Sequence, residues 1–315
     1  MWGAIVINAN EIFSAISNSF SGESLSLNER IFLDIRLPRA ISCVLVGASL
    51  AMAGVLMQAL FRNPIVEPGL IGTSSGAALG ASLYFVLGAT LHFNAGVWTL
   101  PIAASAGGAL ATLVVFVLSY RKEGGQSVIS LLLTGIAVNA LCLSGVGLMS
   151  YLARDPQARF ITFWNLGTLS GSSWNSVILI GIAALICFGF ALRFAKSLNA
   201  LAMGESEALH LGVNINRLKI GVVAITVILV AVSTAFVGVI SFVGLVVPHV
   251  LRLIKGSDNR YLLVGSALLG AILLTLADLV ARLLLAPAEL PIGIVTSVVG
   301  VPVFIFLLRR NQHYF

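Results

Sequence analysis

Charge is scarce in this chain. Only 10% of its 315 residues are Asp, Glu, Lys or Arg, against 58% hydrophobic. The stretches between apolar runs are too short and too few to build a soluble domain. No GxxxxGK followed by Ser or Thr is present, so the chain has no phosphate loop with which to hydrolyse ATP. HExxH, CxxC and GxSxG are missing too, and no nucleophile–base set stands out, which leaves no catalytic residues to name. The three cysteines, Cys43, Cys142 and Cys187, fall inside apolar runs without disulfide or metal spacing and read as small buried hydrophobes. The four histidines, His92, His210, His249 and His313, are scattered and form no metal or haem ligand pair.

What the chain has is hydrophobic length. Its mean hydropathy is +1.04, and a spanning helix needs roughly 20 mostly apolar residues. Regular candidates are Ala40–Phe61, Gly69–Gly88, Val97–Tyr120, Val128–Leu152, Ser176–Ala195, Leu218–Val239, Tyr261–Leu284 and Ile292–Leu308. Phe242–Ile254 is shorter and broken by Pro248, a half-span or a tilted one. The expectation is an all-α, polytopic transmembrane helix bundle of about nine spans, one domain over residues 1–315. Met1–Ala9 is apolar but too short to span, and it lacks the basic start and cleavage site of a signal peptide. It reads as the end of a first helix whose start is missing, or as an interfacial segment, so that residues 1–39 form a truncated first helix and an outer stretch.

The net charge of +6 reports topology. With the polar stretch 196–217 placed in the cytoplasm and sides alternated span by span, twelve Lys and Arg fall inside and six outside. That obeys the positive-inside rule and calls for no nucleic-acid partner. Arg36, Arg39 and Arg282 are on the outer side; Arg62, Arg217 and Arg252 are on the inner side.

Gly72, Gly76 and Gly80 recur every four residues, and Gly47, Ala51 and Gly54 form a similar row on the preceding span. Small residues on one face let helix backbones approach closely; the same faces would also suit the wall of a path. GASLAMAGVLMQALFRNP and STAFVGVISFVGLVVPHVLRL echo one another, each running from small residues through aliphatics to a proline beside a basic residue. A two-halved bundle fits that echo.

Four polar features interrupt the apolar background. Arg36 and Arg39, in RLPR, share a helical face beside Pro38, which suits the first turn of a helix. Positive charge is disfavoured at a helix N-terminus, so an acid such as Asp34 is expected to compensate; the pair reads equally as an interfacial anchor. Asp278 and Arg282 are four apart on one span and suit an intrahelical ion pair. With Arg36 and Arg39, Arg282 would make a basic outer rim that steers an acidic protein. FRNPIVEPGLIG, Phe61–Gly72, is a rigid two-proline connection, either a plain turn or a constriction at the inner mouth of a path. Last comes LNALAMGESEALHLG, Leu198–Gly212, a polar, Gly- and Ala-rich island between apolar spans. A helix there is expected to be kinked or split by Gly204, and the island is either a surface-lying loop or a part gripped by a partner in water.

Read together, IRLPRAISCVLVGASLAMAGVLMQALFRNPIVEPGLIGTSSGAALGA, ALAMGESEALHLGV, FVGLVVPHVLRL and AELPIGIVTSVVGVPVFIFLLRR resemble, in order and along nearly the whole chain, the permease subunits of type II ABC importers for iron–siderophores, haem and vitamin B12. The resemblance implies a homodimer in the bacterial inner membrane, surrounded by lipid, with ten helices per subunit and a path along the dimer axis. It implies two separate ATPase subunits below, which bind the ATP and Mg, and a periplasmic substrate-binding protein above; no cofactor belongs to this chain. Arg36, Arg39 and Arg282 match arginines that receive acids of the binding protein. Gly204, Glu205, Ala208, Leu211 and Gly212 match the coupling helices held in an ATPase groove. Asn63 and Ile65 fall where the family narrows the cytoplasmic mouth, the gate. Nine spans rather than ten is the one departure, at the first helix.

The function expected is import of an iron chelate, haem or siderophore, handed over by the binding protein. Vitamin B12 by the same mechanism is the alternative. From another class, an ion-coupled secondary transporter would need a protonatable group at mid-membrane, and Asp278 is the one candidate well inside a span.

Overall fold

The computed structural model describes residues 8–21, 24–88, 96–121, 125–126 and 128–310. His92, His313, Lys122 and most of Met1–Ala9 lie outside the described residues. In a medium without water the backbone must satisfy its own polar groups, and an apolar chain does so by forming helices.

The helices are α1 (Ala9–Ser21), α2 (Leu27–Arg30), α3 (Leu37–Leu60), α4 (Thr73–Leu87), α5 (Thr99–Ser119), α6 (Val128–Leu152), α7 (Gln157–Asn165), α8 (Trp174–Ala202), α9 (Glu205–His210), α10 (Ile215–Val237), α11 (Val243–Lys255), α12 (Asn259–Leu283) and α13 (Ile292–Arg310). A two-residue antiparallel pair, Tyr120–Arg121 with Gly125–Gln126, closes the α5–α6 turn. Among the described residues six helices are long and apolar enough to cross a membrane, and Thr73–Leu87 and Ile292–Phe306 are shorter apolar helices.

α3 is the centre of the bundle. Its apolar window is 72% buried, against 22% for α6, so α3 is a core helix and α6 a peripheral one. α12, α10, α8 and α11 surround α3, and α4 packs on α5 and α6. The closest approaches are at small residues. A Cβ on Gly47 would collide with the Gly270 carbonyl, and one on Gly54 with that of Gly244. Gly76 and Gly80 meet Gly107 and Ala103 of α5 in the same way. Without a hydrophobic drive between helices in lipid, this contact supplies the association. Gly72 differs from its row: it is the N-cap of α4, in the left-handed region at φ 87°.

The expected helix start at Pro38 is corrected. Leu27–Leu60 runs as one helical stretch of 34 residues, with Ile31–Arg36 wound as a π-helix before α3. Proline has no N–H and crowds the carbonyl four residues back; the wider turn absorbs this, and the Leu37 N–H bonds to the Phe32 carbonyl instead. Arg36 and Arg39 are therefore not at a helix N-terminus, and the dipole argument for a compensating Asp34 does not hold. Asp34 is exposed and, among the described residues, makes no ion pair.

Candidate functional sites

At the outer end, by the charge-based orientation, four charged side chains join α3 to α12 and the turn after it. Arg39 donates through Nε and Nη2 to Asp278 Oδ1 at 3.0 and 2.8 Å. Its Nη1 donates to both oxygens of Glu289, at 3.0 and 2.9 Å. Arg282 Nε lies 3.0 Å from the second oxygen of Asp278, an ion pair whose N–H is not aimed for a hydrogen bond. The Asp278 side chain is 3% exposed and that of Arg39 11%, whereas Arg282 keeps 23%. Asp278 thus takes the compensating role expected of Asp34. Arg36 is half-buried, close enough to Arg282 for the two charges to repel. Sequence spacing placed Arg282 beside Asp278; that Arg39 also reaches Asp278, 239 positions away, had no local signal.

Between α3 and α4 the chain is not a simple turn. Asn63 Oδ1 accepts from the Ile65 N–H at 2.9 Å, a local turn made by the side chain. Ile65 is exposed and Asn63 half-buried. The chain then returns along the protein: Glu67 Oε1 accepts from the Phe242 N–H at 3.1 Å, at the start of α11, before a short 3₁₀ turn over Pro68–Ile71. α11 is about 20 Å long by its rise per residue, and Arg252 and Lys255 stand at its far end. Phe61–Gly72 is therefore a re-entrant stretch, and α4 is short because this stretch occupies part of the same depth. Irregular backbone at such depth needs internal partners. Asn139 of α6 donates to the Gly69 and Leu70 carbonyls at 3.2 and 3.4 Å, and also meets Ser75 Oγ. Gln58 Nε2 donates to the Gly244 and Leu245 carbonyls, both at 3.2 Å, and its Oε1 accepts from Arg252. Gln58, Glu67 and Asn139 were not singled out by sequence; lone polar residues within apolar runs were the signal available.

The polar island has three parts. α8 continues through Leu198 to Ala202, Gly204 breaks it at φ 134°, and α9 follows as a separate short helix. Ala208 is fully buried, while Leu209 and Leu211 are 59% and 63% exposed. Gly212, at φ 79°, reverses the chain into α10, whose N-cap Asn214 accepts from the Arg217 N–H at 3.0 Å. One ion pair ties α9 to α10, Glu205 with the buried Lys219 at 3.0 Å, and the Val213 N–H closes the end of α9 by donating to the Ala208 carbonyl at 2.9 Å. The Ser206 hydroxyl, 2.7 Å from Glu207 Oε2, holds that carboxyl below the usual carboxylate range. A polar cavity of about 510 Å³ opens beside α9, bordered by Lys196, Leu211, Gly212, Asn214 and Arg217.

The profile of the FecCD transport family matches residues 1–310. The hemin transport system permease of Yersinia pestis is 42% identical over 282 residues, covering 90% of this chain and 84% of that protein. The vitamin B12 import permease of Salmonella paratyphi A is 41% identical over 295 residues, covering 92% and 87%. Among solved structures, an inward-facing metal-chelate type ABC transporter superimposes with a TM-score of 0.82 at 32% identity, covering 95% of this chain and 96% of the other. PsaBC from Streptococcus pneumoniae, at 16% identity and TM-score 0.60, shares the fold over 94% and 95%. Two relatives above 40% identity, a fold match over both chains and a family profile that runs from residue 1 to 310 lead to one conclusion: this chain belongs to the FecCD transport family.

Proposed function

We propose that this chain is the membrane permease of an ATP-driven importer that moves an iron chelate, haem or siderophore, from an outer binding protein into the cytoplasm across the bacterial inner membrane. The observation that carries this reading is the near full-length match to a hemin permease, together with a chelate-type neighbour in fold. The vitamin B12 permease is almost as similar, so cobalamin stands as a second cargo on the same mechanism. Two copies of the chain would flank the path, with two ATPase subunits supplying ATP and Mg.

Each functional part has physical support. α9 presents Leu209 and Leu211 outward from a buried Ala208, the arrangement of a short helix seated in a partner's groove. Its tie to α10 through Glu205–Lys219 would carry movement of α9 into a spanning helix. The re-entrant stretch at Asn63 and Ile65, held to α11 by Glu67, supplies a gate that moves with the bundle. At the outer rim Arg39 and Arg282 share Asp278, Arg39 also holds Glu289, and Arg36 lies near Arg282, and a rim rich in arginine suits an acidic binding protein. Arg282, 23% exposed against 11% for Arg39, is better placed for that docking role than Arg39, which both Asp278 and Glu289 engage; Arg36 stands beside Arg282 on the same rim. The same engagement argues against a secondary transporter: an acid clamped by two arginines is poorly placed to shuttle protons.

The test is uptake into proteoliposomes holding the permease–ATPase complex, with cognate binding proteins loaded with haem, ferric siderophore or cobalamin in turn. ATP-dependent uptake of an iron chelate is expected. Uptake of cobalamin alone would move the cargo assignment, and uptake driven by an ion gradient without the ATPase would overturn the mechanism.

A further inference from the structure

A second cavity, of about 270 Å³, lies where the ends of α3, α8 and α11 meet the start of α12. Its polar lining is Gln58, Arg62, Asn63, Arg252, Ser257 and Asn259. Two guanidinium groups face it, and no carboxylate lines it. Arg252 is half-buried. Among the described residues no acid lies within ion-pair distance of Arg252 or Arg62. Partly burying a cation without a counter-charge is unfavourable, so an anion beside the half-buried Arg252 would be stabilising.

Arg252 is also oriented from behind. Gln58, 2% exposed, accepts from Arg252 Nη1 while its own amide is fixed by the carbonyls of Gly244 and Leu245. The remaining N–H groups of Arg252 find no protein acceptor among the described residues. Arg62 is held in the left-handed region at φ 49°, where non-glycine residues are uncommon. The nearby acid Glu207 accepts from Ser206 and attracts Arg62 only at a distance, without a direct ion pair. Asn259 is 3% exposed; its amide N–H donates to Asn199 at 2.8 Å, while its Oδ1 is buried with no donor. The cavity therefore offers one oriented cationic donor, Arg252, and an exposed second one, Arg62, beside the unused acceptor of Asn259. A phosphate suits the donors, since arginine binds its oxygens in pairs; a hydroxyl on the same ligand would suit Asn259.

We propose that this cavity binds the phosphate of an anionic ligand at the inner face of the membrane, supplied by a phospholipid headgroup or by free phosphate. Basic pockets between spanning helices on the cytoplasmic side are the usual place for acidic headgroups. The location rests on the inside placement of Arg62 and Arg252; the binding itself does not.

The delipidated full-length chain in neutral detergent is titrated with phosphatidylglycerol, phosphatidylcholine and inorganic phosphate, with native mass spectrometry as readout. Phosphatidylglycerol is expected to bind about tenfold or more tightly than phosphatidylcholine, and Arg62→Gln and Arg252→Gln are each expected to weaken it about tenfold, the loss of one charge-assisted contact. If Arg252→Gln does not fold, Arg62→Gln carries the test, because Arg62 is exposed. Competition by inorganic phosphate identifies free phosphate as the source, and its failure identifies the lipid. Equal binding of the two lipids with no binding of phosphate, or anion binding indifferent to the substitutions, overturns the proposal. So does a result in which the substitutions spare lipid and phosphate but weaken assembly with the ATPase, which would assign the donors to a protein carboxylate. Orientation is read separately, by labelling Ser257→Cys with an impermeant thiol reagent. Labelling from the outside would sink the inside placement and leave the anion site standing.

Discussion

Arg39 and Arg282 both pair with Asp278, yet they have different work to do. Arg39 is 11% exposed and shares two carboxylates, so it is a clasp between α3 and the end of α12; Arg282 is more open. Removing one partner of a buried pair leaves the other charge uncompensated, typically about 3–5 kcal/mol. Arg282 remains on the second oxygen of Asp278 and softens this, so Arg39→Ala is expected to destabilise the purified chain by about 2–3 kcal/mol. Glu289 is 43% exposed, and Glu289→Gln should cost no more than about 1 kcal/mol. Thermal unfolding of both variants in detergent checks the difference, and equal losses would mean that Arg39 acts mainly through Glu289. Charge reversal at Arg36, with its thermal unfolding measured alongside, then probes binding-protein docking more directly than reversal at Arg39, whose two ion pairs hold the fold.

Among the elements, the long spans were legible because twenty apolar residues in a row have few other fates. Gly76 and Gly80 were legible as a row for the same kind of reason: spacing by four is a helical face. What hydropathy does not record is whether an apolar stretch is helical throughout. Gly69–Gly88 read as one span, and Pro68–Ile71 and Gly72 proved to be the end of a re-entrant stretch instead. Its partners, Glu67 with Phe242 and Asn139 with the Gly69 carbonyl, lie 175 and 70 positions apart, a separation that one sequence does not reveal. The two echoing segments turned out to touch each other, Gly54 against Gly244 and Gln58 against Arg252. Helix ends are more local, and the start of α12 allows a test. Asp258 caps it, accepting from Asn199 Nδ2 at 2.8 Å and from the Arg260 N–H at 2.9 Å. Those bonds, the one from Asn199 first, hold its carboxyl below the usual range. A carboxyl lowered by folding stabilises above its unfolded pKa of about 3.9 and loses that contribution as pH falls through its lower folded value. Hydrogen exchange at the Arg260 amide, corrected for the intrinsic rate, should therefore show protection at neutral pH that fades below about pH 4. Asp258→Ala should remove both the protection and its pH dependence; protection unchanged in that variant would assign the cap to another group.

Over the whole molecule, the proposed mechanism needs force applied in water to reach helices in lipid. α9 is the described element best placed to receive that force, by its tie to α10. It stands between the ends of two spanning helices and exposes Leu209, with Leu211 just past its end, among the polar side chains of Ser206, Glu207 and His210. Its residues divide sharply by role. Ala208 is fully buried, so a larger side chain there would disturb the island itself and say little about a partner. Leu211 is 63% exposed and borders the polar cavity beside α9, so Leu211→Glu should leave the thermal unfolding of the isolated permease unchanged. Full burial of a leucine side chain by a partner contributes about 2 kcal/mol. In the complex, the substitution should therefore weaken ATPase assembly about thirtyfold, the equilibrium ratio that such an energy represents. Stimulation of ATP hydrolysis by the loaded binding protein should fall with it. Normal assembly together with normal stimulation would show that force enters elsewhere, and the stretch Gly256–Asp258, on the same face of the bundle, would become the next surface to test. Normal assembly with lost stimulation would be more informative still: it would separate gripping from transmission and point to the Glu205–Lys219 pair, which ties α9 to α10, as the link that carries the movement.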